Sequence, residues 1–388
     1  MIPVAYNLRN LAVRKTTTLA TAAGLGLVVF VFASVLMLAN SIERTLGRSG
    51  RPDVAIVLRK GSDAELASGI EAQQVSLILG NADVAKRPDG KPDGVGEIAA
   101  VILLPKLGTD GESNVQVRGV PDDVMAFRPS VTLVEGRPAQ PGSDEVIVGK
   151  AISGRFKGLT LGQSFELRKN RPLKVVGIFA DGGSSFESEV WGDVHSVGSA
   201  FGRQGSMSSV RVRLLSPAKF DGFKASIDQN QQLGLEVLRE TDYYEKQSEG
   251  MNVFIGALGI SIAFLFSVGA MIGAMITMYG SIANRQREIG TLRALGFSRF
   301  SILLSFLLES ICLALIGGAI GALASLAMGM VRFSMVNFAS FSEVVFTFEP
   351  TPGIMLGSLA VAVVMGLFGG FLPAVQAARM SPIKAMRG

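Results

Sequence analysis

Four stretches of this chain carry almost no charge, and between the first and second lies a long region of short mixed runs. Leu19–Ala39, Asn252–Ala283, Ser301–Val331 and Gly353–Leu372 contain one ionisable side chain between them that is acidic or basic, Glu309. A helix rises about 1.5 Å per residue and a bilayer core is about 30 Å thick, so each run is long enough to span it. The second would reach about 48 Å as a helix, well past the hydrocarbon. It is expected to project from the membrane as a stalk, joined through Tyr243–Glu249 to the region before it. The lead, residues 1–18, is amphipathic and carries Arg9, Arg14 and Lys15. The apolar run after it exceeds the ~7–15 residues of a signal-peptide core, which favours an uncleaved anchor.

Ser41–Gly250 has a different rhythm. Runs rich in β-branched residues begin at Val54, Ala99, Asn114, Glu145, Lys174 and Val210, bounded by Gly, Pro or Asp, and read as strands. Ala64–Leu79 and Pro217–Leu233 repeat apolar residues at three and four and read as helices. Lys86–Gly96 and Ala180–Glu189 are turn-rich and are expected to be solvated loops. The fold class is therefore an integral membrane protein with four transmembrane helices and a large α+β extracytoplasmic domain between helices one and two.

Charge settles the sidedness. Ser41–Gly250 holds 26 Lys+Arg against 28 Asp+Glu, whereas the rest holds 11 against 4. The pI of 9.4 thus reflects the flanks of apolar helices and not a nucleic-acid surface. Ten of those eleven positives fall in three places: the lead, the segment 284–300, and the tail 373–388. The loop Arg332–Pro350 has a single arginine. By the positive-inside rule the lead, segment and tail are cytoplasmic, and residues 41–250 with the loop 332–350 lie outside.

The search for chemistry excludes more than it finds. One cysteine, Cys312, and one histidine, His195, rule out an intrachain disulfide and any Cys- or His-based metal cluster, so no metal site is expected. Gly149-Lys150 is followed by Ala151 and preceded at the first glycine position by Asp144, so there is no phosphate-binding loop. No G-x-S-x-G elbow occurs, and His195 near Asp193 has no serine to activate. No catalytic residue is assigned. Glu309 lies about two turns inside its span and is read as a partner for an arginine of the basic segment or a backbone donor. Glycines four apart, Gly269 with Gly273, Gly317 with Gly321 and Gly366 with Gly370, suit close helix packing in lipid.

The basic segment itself carries a recognisable motif. Arg287-Glu288-Ile289-Gly290 and Arg293-Ala294-Leu295-Gly296 resemble the cytoplasmic loop of the FtsX-like ABC transporter permeases, a family with MacB-type and LolC-type members. The ending is similar too: Pro373-Ala374, Ala377-Ala378-Arg379 and Ser381-Pro382-Ile383. VEGRP from Val134 and the run from Ser143 to Leu167 resemble the family's MacB-like periplasmic core. The first span departs, having Ala20-Thr21-Ala22-Ala23-Gly24 where Leu-Thr-x-Leu-Gly is usual.

The resemblance implies a non-catalytic permease subunit of a bacterial inner membrane, multi-pass, with its large domain in the periplasm. ATP and Mg are bound by a separate ABC ATPase, and a second permease copy completes a homodimer. A periplasmic adaptor of the membrane-fusion type and membrane lipids are further partners; nucleic acid is not. Coupling to the ATPase is assigned to Arg285, Arg287, Glu288, Ile289, Gly290, Leu292, Arg293, Ala294, Leu295 and Gly296, with Pro373, Ala378, Arg379 and Pro382 in the tail. Ile289, Leu292 and Leu295, three apart, are expected to form one apolar face for an ATPase groove, with arginines at its rim. Charged replacement of Leu292 or Gly290 is expected to uncouple hydrolysis without unfolding. The activity implied is mechanotransmission that exports or extracts an amphiphilic substrate; the alternative is signalling to a periplasmic partner such as a cell-wall hydrolase, without transport.

Overall fold

The computed structural model describes residues 15–230 and 233–381. It divides into two compact units: a helical one of Met1–Ser41, Val253–Arg332 and Thr347–Gly388, and an α+β one of Ile42–Asn252 and Phe333–Phe346.

Four helices are long and apolar enough to cross a membrane. They are α1 (Lys15–Gly47), α6 (Glu240–Asn284), α8 (Arg299–Ser325, continued by a 3-10 turn, Leu326–Met330) and α9 (Pro352–Arg379). α6 runs unbroken for 45 residues, about 67 Å. Its first thirteen residues fall in the α+β unit and the rest in the helical unit. α9 begins at a Thr351 cap and continues through Pro373 to Arg379, so Pro373 sits inside a helix and not in a tail after it. The proline is buried, and the backbone bond it lacks is tolerable in a helix packed against others. Leu25, Val28 and Val29 of α1 pack with Ala314 and Ala322 of α8 and Ala362 and Met365 of α9.

The α+β unit is built on a sheet with strand order β12-β1-β11-β3-β4-β9-β6-β8-β5, to which β7 adds on β8. These strands are β1 (Val54–Arg59), β3 (Gly94–Pro105), β4 (Glu112–Val120), β5 (Thr132–Gly136), β6 (Glu145–Gly149), β7 (Ser164–Arg168), β8 (Arg171–Ala180), β9 (Glu189–Asp193), β11 (Ser209–Arg213) and β12 (Leu235–Arg239). Pairing is antiparallel except for β4 with β9 and β6 with β8. Two short pieces, β2 (Ile70–Glu71) and β10 (Ser206–Met207), pair apart from it. Short helices α2 (Ala72–Leu79), α3 (Val124–Phe127), α4 (Val194–Ala200) and α5 (Phe220–Asp228) cover it, and Ile70, Ile78, Phe220 and Phe223 close one core with Val57 and Val210. Each helical expectation here proves shorter than its apolar periodicity: Ala64–Leu79 contains a 3-10 turn and β2 before α2 starts.

Two expected loops behave differently from solvated ones. Ala180–Glu189 is largely buried, with Phe186 fully enclosed between Trp191 (ring centroids 5.7 Å) and Tyr244 (5.9 Å). The aromatic in an otherwise Gly/Ser/acidic run supplies the apolar area that draws the loop inward. The connection after α8 contains a hairpin, β13 (Arg332–Val336) with β14 (Glu343–Thr347), most of which belongs to the α+β unit.

Candidate functional site

Between α6 and α8 the chain forms one short helix, α7 (Gln286–Ala294). Arg285, at the junction with α6, is buried and holds the segment down. Its Nη1 lies 3.1 Å from Glu309 Oε2 on α8, its Nε lies 3.0 Å from Glu288 Oε2, and its guanidinium sits 5.2 Å from the Phe306 ring. Glu309 is thus the partner of a loop arginine. The far end of α7 is fixed by a glycine cap: Gly296 has φ +93°, its N–H donates to Arg293 O at 3.2 Å, and Phe297 N–H donates to Leu292 O at 3.2 Å. This pair of bonds with a left-handed residue ends a helix abruptly and satisfies its last carbonyls. Arg293 Nη1 donates to Phe297 O at 3.0 Å across the same turn. Ser298 then caps α8 by accepting from Ser301 N–H at 3.1 Å.

The apolar residues of α7 do not share one face. Ile289 is 1% exposed, packed with Met278, Ile282, Ile302, Phe306, Ala374 and Ala377, whereas Leu292 is half-buried and Leu295 is 72% exposed. Residues advance about 100° each around a helix, so two steps of three carry the side chain roughly 120° off the starting direction. The expectation of a single outward face fails for that reason. Ile289 and the buried Gly290 anchor α7; Arg287, Glu288, Ala294, Leu295 and Gly296 are what it presents to solvent. The same cluster joins α7 to the end of α9, where Ala378 is buried and Arg379 exposed; Pro382 lies outside the described residues.

The glycine pairs separate into used and unused. A Cβ on Gly321 would stand 2.1 Å from Gly26 O, and one on Gly317 would stand 2.4 Å from Ala22 O, so α1 and α8 touch backbone to backbone. Gly366 and Gly370 accommodate Ser310 of α8, whose hydroxyl donates to Gly366 O at 2.7 Å. Gly269 and Gly273 have nothing within 4 Å of a built Cβ. With Gly24 they line an open apolar groove between α1 and α6, closed at one end by the 3.0 Å bond between Thr21 and Thr277.

Residues 260–382 match the model of the FtsX-like permease C-terminal region, and residues 16–230, more than half of the chain, match the MacB-like periplasmic core domain. The chain belongs to the FtsX-like permease family. It is 28% identical over 314 residues to the macrolide export ATP-binding/permease protein MacB 1/2 of Paracoccus denitrificans, covering 74% of this chain and 45% of that protein. It is 31% identical over 229 residues to the uncharacterized ABC transporter permease YknZ of Bacillus subtilis, covering 56% of this chain and 54% of that one. The permease therefore spans only about half, or less, of the length of these relatives. Among solved structures, the periplasmic region of MacB from Actinobacillus actinomycetemcomitans aligns over 52% of this chain and 95% of its own at 11% identity and a TM-score of 0.38. The apolar helices and the MacB-like domain make this permease a membrane protein with an external domain.

Within that external domain lies a feature that sequence reading missed. Arg118, Arg128 and Arg211 are buried with Glu65, Glu97, Glu189 and Glu240. Arg118 reaches Glu189 at 2.7 Å, Glu97 at 2.8 Å and Glu65 at 2.9 Å; Arg211 reaches Glu97 at 2.6 Å, Glu65 at 2.8 Å and Glu240 at 2.9 Å. Trp191 Nε1 donates to Glu189 at 2.9 Å. Burial, the largest influence, would raise the Glu65 carboxyl, but Arg118 and Arg211 outweigh it and hold the group well below the ordinary carboxylate range. Glu97 is held down against burial by Arg211, Arg128 and Arg118 in the same way. Glu240 is the first residue of α6 and also accepts Arg51 N–H at 3.2 Å, so the network grips the root of the long helix. One signal was available: Glu97, Arg118 and Arg211 are each a charge whose two immediate neighbours inside a strand are small or apolar.

Proposed function

We propose that this chain is the permease subunit of an ABC transporter, driven through α7 by a separate ATPase that binds ATP and Mg. The observation that carries the reading is the build of α7. It is clamped at one end by Arg285 and Glu309, stopped at the other by Gly296, and seated on α6, α8 and α9 through Ile289. A push on Leu295 or Arg287 is thereby delivered to three long helices together. The 45-residue α6 passes the displacement to the network at Glu240 in the periplasmic domain.

In this reading α7 lies on the cytoplasmic side of the inner membrane, in agreement with the distribution of arginines. The bare Gly269–Gly273 face, of the same spacing that α8 uses against α1, is where a second copy packs to form the homodimer. The stroke serves export or extraction of an amphiphilic substrate, with a periplasmic adaptor; the names of the MacB relatives support export over signalling. Reconstitution with the cognate ATPase tests this. Permease-dependent stimulation of hydrolysis and ATP-dependent movement of the external domain are expected, with no hydrolysis by this chain alone. Hydrolysis in a preparation free of the ATPase, or no effect of the permease on the ATPase, refutes the reading.

A further inference from the structure

The connection between α8 and α9 is far more elaborate than a link between neighbouring helices requires; such links commonly take about 2–8 residues. Phe333–Phe346 folds into the α+β unit, while Arg332 before it and Thr347 after it belong to the helical unit. Ordering a backbone residue costs about 1–2 kcal/mol, so a fourteen-residue docked excursion is held only by substantial contacts. Those contacts are polar and specific. Glu343, 3% exposed, takes Lys106 Nζ at 2.6 Å and Arg155 Nη2 at 3.4 Å, and Arg155 also donates to Ser334 Oγ on the opposite strand at 2.9 Å. Val345 enters the main core of the α+β unit, and its N–H donates to Ser188 Oγ at 3.1 Å.

The turn is equally fixed. Asn337, 2% exposed, donates from Nδ2 to Gln247 Oε1 on α6 at 2.9 Å and accepts Ala339 N–H at 2.8 Å. Asn114 donates to Phe341 O at 2.8 Å, which helps hold Phe341 at φ +52°, a conformation strained for an aromatic residue. Asn337, Ser340 and Ser342 face Gln247, Tyr243 and Tyr244 of α6 across a polar cavity of about 20 Å³, room for about one water. The hairpin and the root of α6 therefore meet at one place, beside the buried charge network.

We infer that this hairpin is a further mechanical attachment of the external domain, beyond the helices α1 and α6 that run into it, through which α8 and α9 act on it directly, with Glu343 as the positioning residue that keeps the attachment rigid. The inference rests on the proposed function, since it concerns how the stroke is distributed. α1 and α6 each enter the domain as a single helix; the hairpin ties α8 and α9 to it as well and, joined to α6 at Asn337–Gln247, makes the helical movement turn the domain as one piece.

The test uses the full chain with its ATPase in nanodiscs, in a Cys312→Ser background, with a reporter cysteine in place of the exposed Leu103 and its maleimide labelling rate measured with and without ATP. Glu343→Ala should leave the domain folded, seen as unchanged Trp191 emission, and leave basal hydrolysis unchanged, yet cut the ATP-dependent change in labelling at least twofold. The charge exchange Lys106→Glu with Glu343→Lys should restore it. Joining Asn337→Cys to Gln247→Cys with a short bis-maleimide should preserve it. No ATP-dependent change in the parent complex would sink the transmission reading itself. A parent change left intact by Glu343→Ala, or abolished by the 337–247 link, would overturn the hairpin's role as a rigid attachment.

Discussion

Arg211→Met removes one of the two cations of the buried network that each reach three carboxylates, and its consequences are calculable. Arg211 neutralises Glu65, Glu97 and Glu240 at 2.8, 2.6 and 2.9 Å with no exposure of its own. Without it, four buried carboxylates share two guanidinium groups. Breaking a buried charge pair by removing one partner costs roughly 3–5 kcal/mol, against about 5–15 kcal/mol for the whole stability of a typical domain. The pH dependence changes as well. In the parent, the folded carboxyls of Glu65 and Glu97 lie below the ordinary 4.5. The unfolded chain then binds more protons, so stability is present above pH 4.5 and is lost as pH falls through the folded values. In the variant, burial is less opposed at both groups, so their carboxyls move up toward the ordinary range and the advantage of the folded chain at higher pH shrinks. Urea unfolding of the full chain in detergent, followed by Trp191, reads this directly, because Trp191 is the only tryptophan and is bonded to Glu189. A shallower rise of stability with pH is expected in the variant than in the parent. Parallel slopes, or a variant as stable as the parent at pH 7, would refute the electrostatic account.

Other outcomes follow from single contacts. Glu240→Gln leaves three carboxylates with three guanidinium groups and is expected to cost only about 1–3 kcal/mol in the same urea assay. Gly321→Ala must push α1 away by more than 1 Å from the 2.1 Å approach to Gly26 O, which is expected to destabilise the helical unit by about 1–3 kcal/mol in detergent melting, whereas Gly273→Ala leaves the monomer unchanged. Gly296→Val places a β-branched residue at φ +93° and should cost about 1–2 kcal/mol locally, seen as faster amide exchange at Gly296 and Phe297. The Glu343 carboxyl, which burial would raise, is lowered by Lys106 and its hydroxyl neighbours, so its hold on the hairpin is present above pH 4.5 and lost below. Pepsin should therefore cut at Phe338 and Phe341 about equally fast in the parent and in Glu343→Gln near pH 3, and more slowly in the parent than in the variant as the pH rises towards 5; equal rates at both pH values would contradict this.

What was legible from the chain depended on period and punctuation. Four uncharged runs announced four helices, and six β-branched runs fell on β1, β3, β4, β6, β8 and β11, because burial on a sheet or in lipid leaves a one-dimensional trace. The long apolar run from Asn252 pointed to the extended α6, though its true start at Glu240 is polar and gave no apolar signal. Within α7 the residue types were legible but their facing was not: a spacing of three looks like one stripe on paper and rotates away on a real helix. The buried network was opaque because its members, Glu65, Glu97, Arg118, Arg128, Glu189, Arg211 and Glu240, lie far apart in the chain, and only the fold brings them together. The hairpin was hidden for a related reason. Nothing in Arg332–Pro350 reveals that Glu343 meets Lys106 and Arg155, more than 180 residues away.

The central claim is that α7 receives the force of a separate ATPase through the residues it exposes. Leu295, 72% exposed and free of the cluster that anchors Ile289, is the position at which to test it. In the full chain reconstituted with its ATPase, Leu295→Glu should abolish permease-stimulated ATP hydrolysis while Trp191 emission and the ATPase's own basal rate stay as in the parent. Stimulation at the parental level in that variant would contradict the account.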